Sequence, residues 1–285
     1  MDRRILGYIL LGMAILSACT SSDRNVLRMA TTTSTYDSGL LDEIIPDFEE
    51  KYDARVDIIA VGTGQAIAIA ERGDVDVILV HNRNMEERFI SQGYGLELHP
   101  VMYNDYVLLG PKEDPARIQG VPLAASAMAM IADQRAGFAS RGDDSGTHAR
   151  EMALWEQAGF SVEQPGDWYK SLGQGMAETL RFADEQSAYT LSDRGTYQAL
   201  RDKYPHIVVI VGGETLIKNT DPSLLNPYSV IAVNPDRHSG IASDLAEAFI
   251  EWLCSDETQE RIASYGLEEF GKPLFYPYSG CRQKN

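Results

Sequence analysis

The sequence predicts an α/β fold of two lobes, on three observations. Short apolar or β-branched runs alternate with helically spaced stretches along most of the 285 residues, the signature of a parallel sheet with helices on its faces. Two extended stretches, near 102–109 and 228–233, are placed to carry the chain from one lobe to the other and back. Two hydroxyl-rich segments, one in each half, each lie between a strand and a helix, where open α/β sheets hold their ligands. Two lobes with two crossings have the geometry of a hinge that closes on a ligand in the cleft.

Composition narrows the function classes. Lys+Arg number 25 against 42 Asp+Glu, a net charge of −17. A nucleic-acid partner requires a basic face and is set aside. An anionic ligand would have to be held by local donors against the global field.

The elements follow in order. Arg3 and Arg4, an apolar run over 5–16 and Leu16-Ser17-Ala18-Cys19 form a targeting segment, too short to span a bilayer core of about 30 Å. Small residues before a cysteine resemble the lipobox of bacterial lipoproteins. That resemblance implies that 1–18 is a signal peptide, that Cys19 carries lipid, and that 19–25 is a tether to a membrane. The plainer reading is an ordinary signal peptide cut near Ala18. Residues 26–30 form a strand, and Ser38 can cap a helix whose apolar face is Leu40, Leu41, Ile44, Ile45 and Phe48. Pro46 inside that face is expected to kink the helix or end it early. Residues 56–61 form a strand, 65–72 a helix after Gly62-Thr63-Gly64, and 75–80 a buried strand, completing a βαβαβ run.

A second unit begins beyond Gly110-Pro111. Strands are expected at 137–140, 188–191, 207–211 and 228–233, and helices at 147–158, 194–203, 240–254 and 256–265. The first lobe then takes 26–104 and 234–285, and the second 105–233. Trp155 and Trp252 read as packing residues, and Trp168-Tyr169 as packing or cleft rim. Cys254 and Cys281 are either bridged or two separate thiols, and sequence leaves both readings open.

Two motifs carry chemistry. Thr31-Thr32-Thr33-Ser34-Thr35 follows the first strand, and five consecutive hydroxyls exceed what one helix cap uses. Ser140-Arg141-Gly142-Asp143-Asp144-Ser145-Gly146-Thr147-His148 offers free backbone N–H groups at a helix start. It also offers two hydroxyls and a forked guanidinium that Asp143 can hold. The bland alternative is a capped helix with a surface ion pair. Gly62-Thr63-Gly64-Gln65 opens a third helix and can donate N–H groups, with Thr63 and Gly64 as additional contacts.

With Asp37-Ser38-Gly39-Leu40-Leu41, Asn104-Asp105-Tyr106, Gly173-Gln174-Gly175-Met176, Asp193-Arg194 and Asn226-Pro227-Tyr228, these motifs resemble the tungstate-binding lipoproteins of bacterial ABC importers from about Leu27 to Tyr278. The resemblance implies a two-lobed periplasmic-binding-protein fold (type II) with two crossover segments. It implies a monomer in the cell envelope that captures tungstate, without a cofactor, and hands it to an ABC permease. It places the oxyanion on Thr32, Ser34, Arg141, Ser145, Gly146 and Thr147.

Molybdate and phosphate are the alternative ligands, because phosphate binders share the Arg-x-Asp-x-Ser-Gly-Thr segment. Hydrogen phosphate needs a carboxylate acceptor, which would repel a fully ionised anion. The loop after 75–80 is His81-Asn82-Arg83-Asn84, without an acid, which favours tungstate or molybdate. His81 could reach the cleft, but reads first as a structural or surface residue. An enzyme hydrolysing anionic esters through Ser145 is the reading from another class, but Asp144-Ser145-Gly146 lacks the nucleophile-elbow pattern and His148 lies only three residues on. The five histidines show no ligand spacing, so no protein-held metal is expected.

Overall fold

The computed structural model describes residues 25–163, 165–278 and 280–281. The expected signal peptide 1–18, Cys19 and most of the tether lie outside these residues. Asn25, placed in the tether above, already begins the first strand.

The chain runs β1 (Asn25–Thr32), α1 (Thr33–Asp37), α2 (Leu40–Tyr52), β2 (Ala54–Val61), α3 (Thr63–Glu71), β3 (Val77–Val80), α4 (Arg83–Ser91) and the long β4 (Gly95–Pro111). It continues with α5 (Ala124–Gln134), β5 (Phe138–Ser140), α6 (Gly146–Gln157), β6 (Tyr169–Ser171), α7 (Met176–Gln186), β7 (Thr190–Asp193), α8 (Arg194–Leu200), β8 (Ile207–Val211) and β9 (Leu225–Val233). It ends with α9 (Ser243–Leu253), α10 (Asp256–Ser264), α11 (Leu267–Phe270) and β10 (Tyr276–Pro277). Helices α1, α4, α5, α7 and α11 are additions to the elements read from sequence.

Two sheets of one plan result. In the first, β1 is central, parallel to β2 on one side and β3 on the other, followed by antiparallel β9 and the first part of β4, with β10 on the edge. In the second, β5 is parallel to β6 and bridges to Tyr189 beside β7, while β7 and β8 pair antiparallel with the second part of β4. β4 changes partners at about Asp105–Tyr106 and so links the two lobes. β9 pairs with β3 and β4 over its length. By pairing, the return crossing precedes Leu225, earlier than the limit of 233 drawn from sequence.

Alternation places the core. Leu27, Met29, Val77 and Leu79 face one cluster and Ala30, Ile78 and Val80 the other, so the central strands of the first sheet are covered on both faces. The second sheet is flanked likewise by clusters around Trp155 and around Leu180. Trp168 and Tyr169 pack edge-on against Trp155, and Trp252 packs against Phe48 and Phe249.

Pro46 does not end the helix early: α2 runs through it to Tyr52. Pro46 is exposed while Leu40, Leu41, Ile44, Ile45 and Phe48 are buried. A mid-helix proline costs about 3 kcal/mol, and five buried side chains at roughly 1.5–3 kcal/mol each outweigh it. Cys254 at the end of α9 is bonded to Cys281 in the tail, with Cα atoms 5.3 Å apart, so the bridge that sequence left open is present.

Candidate functional site

Each sheet ends its central strand in one of the two motifs. At the end of β1, Thr32 Oγ1 caps α1 by accepting from Thr35 N at 3.2 Å. Thr31 and Thr35 turn inward: Thr31 Oγ1 donates to Leu79 O at 2.8 Å, and Thr35 Oγ1 lies 2.6 Å from Thr32 Oγ1. Ser34 Oγ is 3.2 Å from Thr32 Oγ1 and half-buried. α1 has only five residues, so this loop offers hydroxyls rather than a helix dipole.

His81, directly after β3, holds this loop from behind. Its Nε2 is 3.2 Å from Thr32 Oγ1, its Nδ1 is 2.9 Å from Asn226 Oδ1, and its ring stacks on Tyr228 at 4.6 Å. Burial pushes its pKa down to about 4, Asn226 opposes that shift, and Arg150 and Arg141 add to it. It is neutral near pH 7. The sequence reading set it aside as structural or surface; the structure buries it and also makes it part of the cleft wall.

The loop after β5 is built differently. Gly142 and Asp144 both have left-handed backbone, with φ of 60° and 56°. For the non-glycine Asp144 this is a strained conformation. Arg141 is 6 % exposed and donates from Nε and Nη2 to Asp143 Oδ2 at 3.1 and 2.5 Å. Asp143 Oδ1 accepts from Ser145 N at 3.3 Å, and Ser145 Oγ caps α6 by accepting from His148 N at 3.3 Å. Those bonds leave the N–H groups of Gly146 and Thr147, at the start of a 12-residue helix, without an acceptor inside the loop. Behind the loop, Glu151 accepts from Tyr169 Oη at 2.8 Å and Trp155 Nε1 at 3.1 Å. Burial pushes the Glu151 carboxyl up to about 7.

The two loops face each other. A methyl group on Gly146 would come within 2.6 Å of His81 Cε1. A cavity of about 260 Å³ opens at this junction, bordered by His81, Asn82, Arg83, Tyr106, Gly146 and Arg150. Asp37 at the end of α1 is raised by burial and drawn back down by Arg141 across the gap. Thr32, Ser34, Arg141, Ser145, Gly146 and Thr147 are thus carried by two opposed loops. Thr63 and Gly64 open α3 on the first sheet. Thr63 Oγ1 is buried without a partner among the described residues, and Gly64 faces Met85.

Three features received no role from the sequence, although Asn104, Asn226 and Asp193 stand in motifs quoted above. Asn104 and Asn226, paired across β4 and β9, are buried polar residues inside the crossing strands. Their signal was the polar interruption of two apolar runs. Glu151 was hidden on an ordinary helical face. Asp193 ends β7, caps α8 through Thr196 N at 2.8 Å, and keeps Oδ2 unpartnered among the described residues. An acid thus stands near the site after all, contributed by the second lobe. Burial raises its pKa, against the hydrogen bonds of Thr196 and the pull of Arg141.

A PBP superfamily domain model matches residues 20–257. The tungstate-binding protein TupA of Peptoclostridium acidaminophilum is 45 % identical over 251 residues, covering 87 % of this chain and 84 % of that protein. The structure of the tungstate-binding protein TupA from Desulfovibrio alaskensis G20 matches with a TM-score of 0.77 at 41 % identity, covering 89 % of this chain and 99 % of the other. The crystal structure of the tungstate ABC transporter from Geobacter sulfurreducens matches with a TM-score of 0.73 at 44 % identity, covering 84 % of this chain and 98 % of the other.

Proposed function

Because this chain belongs to the PBP superfamily and, within it, to the family of tungstate-binding proteins TupA, we propose that it captures tungstate between its lobes and delivers it to an ABC permease. The observation that carries this reading is the opposition of two strand-end loops, one supplying neutral hydroxyls and the other a buried, carboxylate-oriented guanidinium with free helix-start N–H groups. Such a pairing suits a small, fully ionised oxyanion.

In this reading Thr32 and Ser34 contact the anion from the first lobe, and Arg141, Ser145, Gly146 and Thr147 from the second. Thr63, with its unpartnered hydroxyl, is an additional donor next to Gly64. Tungsten enters as the oxyanion, and among the described residues no group of His, Cys, Asp and Glu is arranged to hold a bare metal ion. The protein acts as a binder rather than an enzyme. Ser145 Oγ is occupied as a cap, and His148 Nδ1 accepts from Asp144 N at 3.0 Å. That nitrogen is therefore not positioned as a base for Ser145.

We place the protein in the cell envelope as a monomer, anchored to a membrane by lipid on Cys19, on the strength of the Leu16-to-Cys19 motif. Cys19→Ser should release it from the membrane fraction. Identical fractionation and identical N-terminal mass in mutant and parent would defeat the anchor.

Calorimetric titration with tungstate, molybdate, phosphate and sulfate tests the function. Tungstate should bind most tightly, with the lobes drawing together in small-angle scattering. Molybdate binding as tightly would widen the assignment, and phosphate binding more tightly than tungstate would overturn it.

A further inference from the structure

Side chains at the start of α6 divide its backbone donors into two sets. The first four N–H groups of a helix have no partner within it, and here they belong to Ser145, Gly146, Thr147 and His148. Ser145 N donates to Asp143 Oδ1 at 3.3 Å, and His148 N donates to Ser145 Oγ at 3.3 Å. One residue before the cap, Asp144 N donates to His148 Nδ1 at 3.0 Å. The N–H groups of Gly146 and Thr147, between these, find no acceptor in the loop. The loop's own side chains thus set which backbone donors face a ligand.

The bond at Asp144 can run in one direction only. A backbone N–H donates and never accepts, so Nδ1 of His148 is the unprotonated nitrogen and a neutral ring carries its proton on Nε2. A ring turned over by half a rotation would set a C–H against that N–H, so the contact fixes the ring orientation too. A proton on Nδ1 would set two donors face to face. The Asp144 carboxylate, 3.6 Å from Nδ1, is fully exposed, so water screens the attraction it offers a protonated ring.

The bond acts where the backbone is under strain. Asp144 has a left-handed φ of 56°, and a non-glycine residue keeps such a conformation only where its surroundings impose it. The front of the loop is held by β6 and the segment after it: Gln174 N donates to Arg141 O at 3.0 Å, and Gly142 lies against Ser171. Asp143 is held by Arg141. From the helix side, His148 holds Asp144. Its tie is reciprocal, because the same residue gives its N–H to Ser145 Oγ and takes the N–H of the residue before Ser145. This is a capping box with the return bond moved back by one residue. Without that acceptor Asp144 can relax toward ordinary backbone, and the peptide groups that follow it turn as well.

We propose that His148 is a positioning residue for the oxyanion: by accepting the Asp144 N–H as a neutral Nε2–H ring, it holds the left-handed turn that aims the N–H groups of Gly146 and Thr147 into the cleft. The proposal rests on the reading of the cleft as a tungstate site. His148 need not touch the ligand. It acts through the turn, and it also withholds the Asp144 N–H from the ligand, so that the donors come from the helix start.

The test combines calorimetry with sodium tungstate, histidine-selective nitrogen NMR and hydrogen exchange of the Asp144 amide, all on the full chain. The wild type should show His148 as the Nε2–H tautomer and a protected Asp144 N–H, with and without tungstate. His148→Leu removes the acceptor. It should expose the Asp144 N–H and weaken tungstate binding about tenfold, the factor expected if the loop then holds its binding conformation about a tenth of the time. His148→Asn, whose Oδ1 stands at the same bond count from the backbone as Nδ1, should restore protection and most of the affinity, whereas His148→Gln, with its acceptor one atom further out, should not. Helix propensity alone predicts the opposite order, because Leu and Gln suit a helix better than Asn. A wild type that binds tungstate while His148 carries Nδ1–H or is charged refutes the role and leaves the site standing. Unchanged affinity in His148→Leu, or His148→Asn no better than His148→Gln, also refutes it. A wild type that binds none of the oxyanions removes the site and this role with it. The wild-type tautomer and the Asp144 exchange decide the bond even where a variant does not fold.

Discussion

The loop after β1 and the loop after β5 occupy corresponding places in two sheets of one plan, yet they are made of opposite materials. The first contains no cation: its hydroxyls are bonded to one another and backed by a neutral histidine. The second carries a buried Arg141 held by a half-buried Asp143, two left-handed residues and a buried carboxyl behind it. The lesson is a division of labour. In the proposed site the second lobe supplies the attraction for a dianion, and the first supplies directional neutral donors that engage as the lobes meet. A chain with a net charge of −17 needs this concentration of positive field in one recess.

The largest effect should come from breaking the charged side. Arg141→Gln leaves Asp143 without its cation beside an anion and should cost roughly a hundredfold in tungstate affinity, while Arg141→Lys, which keeps charge but loses the fork, should cost about tenfold and narrow the preference over molybdate. Unchanged affinity by calorimetry in both variants would take Arg141 out of the site. Only the first lobe carries a covalent tie, so replacing Cys254 and Cys281 by alanine, which opens a separation of 27 residues, should lower stability by about 3 kcal/mol. Denaturant melts should record that loss while tungstate affinity holds, and a fall in affinity would link the tail to the cleft.

The meeting of the loops can be tested at Gly146. A methyl there would press within 2.6 Å of His81 Cε1, so Gly146→Ala should weaken binding about tenfold through incomplete closure, an estimate of the order of one lost ionic hydrogen bond. The thermal stability of the ligand-free protein should barely move. Normal compaction in scattering at saturating tungstate would show that the lobes do not need this contact.

The smallest effects are in pH dependence, where the two sides have opposite signs. The folded pKa of Glu151 is raised to about 7, so its stabilising contribution is present at low pH and is lost as pH rises from about 4.5 through about 7. The folded pKa of His81 is lowered to about 4, so its contribution is present above about 6.5 and is lost as pH falls toward 4. Glu86, also raised to about 7 by burial, adds to the first trend from the other lobe. Glu151→Gln should therefore flatten, by about 1 kcal/mol, the decline in stability between pH 5 and pH 8 without abolishing it. An unaltered slope in urea melts at the two pH values would place the Glu151 titration elsewhere.

The sequence by itself determined what is local. Apolar runs of four to six residues specified the central strands, because a strand buried on both faces must be apolar throughout. The two motifs were legible because each is contiguous, so its hydroxyls, its guanidinium and its orienting carboxylate arrive together at a strand end. Tertiary structure decided whatever depends on partners distant in the chain. The His81–Asn226 contact spans 145 residues and the Asn226–Asn104 contact 122, and no spacing rule connects them. Pro46 stays helical because packing energy from the opposite face of α2 exceeds its local penalty, a balance that exists only once the core has formed. The surroundings of His81 were decided for the same reason. An isolated histidine is a titratable surface group, but burial between Tyr228, Asn226 and the Gly146 loop removes its charge and leaves a directional neutral link.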